Sequence, residues 1–194
     1  LKLNSYSGID FNGSGTLGSQ NLNSLTLNSG GLRGITADVT LQAASVSLAN
    51  PLDSIIEDGD LGNTLQILSA NLNLGSGEFQ LAGFDSTTVT ASSGVLASGS
   101  GSLKSDGALT IGAPAIAASR LTNYAIEASG ELTLNDIPGA ATVSSELGAT
   151  LSLLGSLVAL NSDISLPTGV LKIQAITGDV TIGSKLSVDG SAHT

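Results

Sequence analysis

The chain has 194 residues, enough for one domain with a sizeable core, and 41% of them are hydrophobic, which excludes a disordered tail. Charged residues make up 11%, aromatics 3%, and 25 positions are glycine, so the interior must be built from aliphatic residues of similar size and the turns from Gly, Asn and Ser. A formal net charge of −10 argues against nucleic acid and anionic lipid as partners; the lack of cysteine excludes a disulfide framework; and the longest apolar stretch, 147–160, is broken by Gly, Ser and Thr and too short to insert in a membrane.

The chain opens "LKLNSYSG", contains no methionine, and reads as an internal or processed piece of a longer protein. Residues 1–30 are irregular, with Leu25 and Leu27 as their clearest alternating pair. From Val39 onward, apolar triplets with period two recur, beginning at Val39, Leu65, Val89, Leu109, Leu132, Leu151 and Leu171. Their spacings are 26, 24, 20, 23, 19 and 20 residues, the range of solenoid repeats. The longest spacing contains "NPLDSIIEDGDLGN", which predicts a loop insertion over 50–63. About seven residues into each period comes a second apolar position (Val46, Leu72, Leu96, Ile116), and a third often follows (Leu81, Leu103, Tyr124). Three short strands and three turns per period describe one coil of a parallel β-helix. The expected fold is therefore all-β, a single β-solenoid over 1–194 of roughly nine coils, a rod of about 40 Å. The shared phase of Leu109, Ile111, Leu132, Leu134, Leu151, Leu153, Leu171 and Ile173 predicts that they point inward and stack in columns. A narrow aliphatic interior accounts for the scarcity of aromatic rings.

Residues that could carry chemistry are few. "GSGTLG" at 13–18 has the spacing of a dinucleotide loop, but "SQNLNSLTLNSGG" after it is not helical, so turn glycines explain it better. "DFNGSG" at 10–15 resembles the first half of a calcium loop through Asp10, Asn12 and Ser14, but the twelfth position is Asn21 instead of a bidentate Glu. Glu57, Asp58 and Asp60 form the densest acidic cluster and a calcium candidate; a solvated loop is the simpler reading, and no cofactor beyond that calcium is expected. Asp85 and Asp106 lie about one period apart, yet both sit in turn sequences. The six bases are scattered, and the single histidine, His193, is next to last. No triad or aromatic sugar platform can be assembled, so no enzyme is expected.

The phrases "LNLGSGEFQLAGFDSTTVTASSGVLASGSGSL" (72–103), "GALTIGAPAIAAS" (107–119) and "ASGELTL" (128–134) resemble the repeat region of filamentous-haemagglutinin-type exoproteins, large bacterial proteins exported by two-partner secretion. The likeness covers about residues 20–190 and lies in repeat grammar. The family's N-terminal secretion domain with its Asn-Pro-Asn motifs is not evident, and Asn50–Leu52 is only a fragment of such a motif. The resemblance implies a right-handed β-helix, a secreted or bacterial cell-surface location, and a role as the shaft of an adhesin or surface filament. It carries no functional residue onto this chain. The leading expectation is a structural shaft segment whose partners are further coils of the same polypeptide or neighbouring copies stacked end to end. A module binding a surface glycan or receptor is the alternative, and a polysaccharide-active β-helix enzyme is third.

Overall fold

Alternation of apolar and polar residues makes each segment extended, with one side of each strand buried. Ser24–Asn28 and Thr150–Gly155 show this in full, every second residue being buried. The structure, a computed structural model, describes residues 1–188 and holds 21 strands and no helix among them. All pairing is parallel, and strands stack on the strand one circuit on except at two places where a circuit is skipped, which is a β-solenoid.

The rod has three faces. The first is built from Gly15–Gly18, Val39–Gln42, the opening halves of Asn63–Leu74 and Phe84–Ala97, then Ala108–Gly112, Leu132–Asn135, Val158–Asn161 and Val180–Ile182. The second runs from Lys2–Asn4 through Ser24–Asn28, Ser45–Ala49 and the closing halves of the two long strands to Ile116–Ala118, Ile164–Ser165 and Leu186–Ser187. The long strands bend through the corner and join these faces into a 14-stranded sheet. The third face is a separate 7-stranded sheet, from Gly8–Asn12 to Val170–Ala175.

Like residues stack on like. On the first face, Leu17, Leu41, Ile67, Val89, Ile111, Leu134, Leu160 and Ile182 form one inward column. From Leu41 to Leu160 it is fully buried, and each side chain contributes about 1.5–3 kcal/mol of apolar burial. The eight strands of this face are spaced about 4.8 Å apart.

The columns correct four details of the sequence reading. Leu109, Leu132, Val158 and Val180 do share a column, but Leu151 and Leu171 belong to the third face, where they continue from Tyr124. In that final coil Leu171 and Ile173 are half-buried, because no described strand covers them. Leu25 and Leu27 lie on the second face, and the first triplet-face strand is the glycine-flanked Gly15–Gly18. An irregularity between Ala91 and Gly94 turns Leu96 outward and puts Val95 over Leu72.

The aromatic residues are the fourth correction. Phe79, Phe84 and Tyr124 are all fully buried. Glycine on a neighbouring coil makes the room. The Phe84 ring fills the space a Cβ on Gly34 would take, and Tyr124 stands in register with Gly101.

Tyr124 carries a cost in that position. Its hydroxyl is buried and has no hydrogen-bond partner, and burial pushes its pKa above the usual phenol value. The neutral phenol is thus favoured in the fold. Stability from this site is intact below the unfolded phenol pKa of about 10 and is lost as pH rises beyond it. Tyr124→Phe is expected to stabilise the protein by about 1 kcal/mol at neutral pH and to flatten the alkaline fall in stability; denaturant melts across the alkaline range check both.

Candidate functional site

Between Ser45–Ala49 and Asn63–Leu74 the chain leaves the rod. It makes no strand over 50–62, and the third face closes across the omission: Gly31–Ile35 pairs directly with Gly77–Ala82. Asn50 starts the departure. Its Oδ1 accepts the Ser54 amide at 2.9 Å, and its Nδ2 donates to the carbonyls of Ser54 and Glu78 at 2.9 and 2.7 Å. Asp53 takes a left-handed conformation in the turn, which Asp tolerates.

The segment then lies along the outside of the third face as a strap. Ile56 is buried against Gly8 and Gly30, where a Cβ would collide with it, and Gly59 presses on Gly83. Arg33 is the clasp. Its guanidinium forks onto Asp10 at 3.0 and 2.7 Å and reaches Glu57 on the strap at 2.7 Å. These two hydrogen-bonded carboxylates, Asp10 first, raise the already high pKa of Arg33. Asn63 ends the strap, accepting the Ala37 amide and donating to the carbonyls of Gly34 and Gly83.

This geometry divides the acidic cluster. Glu57 is committed to Arg33, while Asp58 and Asp60 are exposed and line a cleft of about 560 Å³ with Ser14, Asp38 and Asn63. Asp38 in turn accepts from the amide and hydroxyl of Thr64. Among the described residues, no three acidic or histidine side chains converge as a metal-holding group.

The other singled-out residues are dispersed. Asp10 and Asn12 stand in a third-face strand, and Ser14 caps the Asp38 amide, so "DFNGSG" is strand and turn. Gly15–Gly18 of "GSGTLG" is a strand with no helix behind it. Asp106 accepts from Gln80 Nε2 at 3.0 Å and from the Gly83 amide at 3.2 Å, whereas Asp85 is exposed. Lys104 pairs with Glu78. His193 lies outside the described residues.

The sequence reading missed a second strap. Over 136–149 the chain again makes no strand, and the second face closes past it, with Ile116 pairing directly with Ile164. Val143 sits over Gly94, Ile137 over Gly112, and the Thr142 hydroxyl donates to Asn71 at 3.0 Å. The signal is present in "DIPGAATVSSELGA", which has Pro and Gly and no sustained alternation. It was hidden because the strap plus one short strand spans about a normal period.

No protein-family model, no curated protein and no solved structure matches the chain.

Proposed function

We propose that the chain is a structural shaft segment of a secreted or bacterial cell-surface filament of the filamentous-haemagglutinin type, without catalysis. The observation that carries this reading is the continuity of the stack. The inward columns run through the rod, and the final strands offer the same apolar and hydrogen-bonding surface to a further coil. In the last coil Val170, Val180 and Ile182 are 49%, 40% and 51% exposed. The ladder bonds Val158 N–H to Asp179 C=O and Gly183 N–H to Leu160 C=O turn the amides of Val180 and Ile182 away from the rod, toward an edge that no strand among the described residues covers. A parallel coil of the same cross-section fits such an edge, whether from the same polypeptide or from a neighbouring copy.

The test is end-to-end association. At high concentration the protein is expected to form linear oligomers of unchanged width, seen by electron microscopy and sedimentation. Val180→Pro removes an edge-facing donor while leaving the inner ladder in place, and is expected to abolish them. A strictly monomeric protein with slowly exchanging amides in Val180–Ile182 would overturn the end-stacking reading, as would oligomers indifferent to Val180→Pro.

A further inference from the structure

We propose that Asn12 is a site of spontaneous deamidation, an internal chemical clock beside the clasp of the first strap. Asn12 is the one asparagine in the chain followed by glycine. It is exposed at the end of Gly8–Asn12, the outermost strand of the third face, which has a neighbour on one side only among the described residues. Gly13 adopts a positive φ of 115° in a turn with nothing within 4 Å of where a side chain would begin. No neighbouring chain therefore crowds the turn in which the cyclic imide would form. Asn21 and Asn23 are exposed but are followed by Leu and Ser, whose side chains hinder attack by the backbone nitrogen. Several asparagines elsewhere are restrained. Asn50 and Asn63 are buried and hold three hydrogen bonds or more, and Asn4–Asn28 and Asn135–Asn161 bond to each other in ladders.

The chemistry needs only water. The Gly13 nitrogen attacks Asn12 Cγ, the bond from Cγ to the side-chain nitrogen breaks, and ammonia leaves with the proton that the Gly13 nitrogen gives up. Water then opens the cyclic imide at either carbonyl and yields aspartate or isoaspartate. The product places a carboxylate on the same outward side of the strand as Asp10, two residues from the group that Arg33 grips. The isoaspartate form also lengthens the backbone at the strand end. Each event adds one negative charge next to the strap's anchor.

The experiment incubates the intact purified protein in mildly alkaline buffer and follows the tryptic peptide 3–33. The expected result is a gain of about one mass unit in that peptide, located at Asn12 by fragmentation and split between aspartyl and isoaspartyl forms. The gain should be faster at higher pH, because attack requires the deprotonated Gly13 nitrogen, and absent from Asn12→Gln over the same period. A peptide that keeps its mass would overturn the proposal. So would a gain located at Asn4, Asn21, Asn23 or Asn28, or one that persists unchanged in Asn12→Gln.

Discussion

Asn63→Ala is expected to lower stability by about 4 kcal/mol, with a fall in Tm of about 8–16 °C. The side chain is a three-way staple at a buried corner. It receives the Ala37 amide and gives its own amide protons to the carbonyls of Gly34, at the same corner of the preceding coil, and Gly83 on the following coil. Ala37, Gly34 and Gly83 are all buried, so deletion of the amide leaves their polar groups without water to replace it. Each such orphan costs about 1–3 kcal/mol. Asn63→Asp is no remedy, because it turns a carboxylate toward two carbonyl oxygens. Chemical denaturation of the two variants beside the parent protein checks the magnitude.

Gly77→Ala should be nearly as damaging, at about 3 kcal/mol. Gly77 occupies the corner between the second and third faces with φ 84°, a left-handed conformation that costs a non-glycine residue about 1–2 kcal/mol. A Cβ there would also run into the carbonyl oxygen of Asn50 on the coil beneath. Asn50 is the residue that launches the first strap, so its displacement reaches further than the corner. The variant is expected to show faster amide exchange over 51–60 as well as a lower melting point. An exchange pattern there identical to the parent protein would break the link between corner and strap.

How much of this could be read from the letters depends on which forces leave a periodic trace. Burial of alternating residues does, and it made the solenoid and most inward positions legible: Leu109, Ile111, Leu132 and Leu134 lie in the interior as their phase requires. Departures from the rod leave a trace only when they upset the count. The 50–62 strap lengthens its period and is visible; the 136–149 strap replaces a strand, keeps the spacing, and shifts Leu151 silently to another face. Ring placement was misjudged because room for Phe84 comes from Gly34, distant in sequence. The clasp was illegible for the same reason, since Asp10, Arg33 and Glu57 are brought together by stacking alone. Composition cannot tell an acid free in solvent from one held by an arginine one circuit away.

The two straps also bear on the shape of any longer assembly. Where a strand is omitted, one side of the rod is shorter than its neighbours by one inter-strand step, about 4.8 Å. The third face loses a step between Leu32 and Leu81, and the second loses one between Ile116 and Ile164, while the first face loses none. Coils above and below each omission must lean toward the shortened side, and the two leans point in different directions. A filament made of such segments would carry its curvature as a list of missing strands, with bends set by where the chain chooses to step outside.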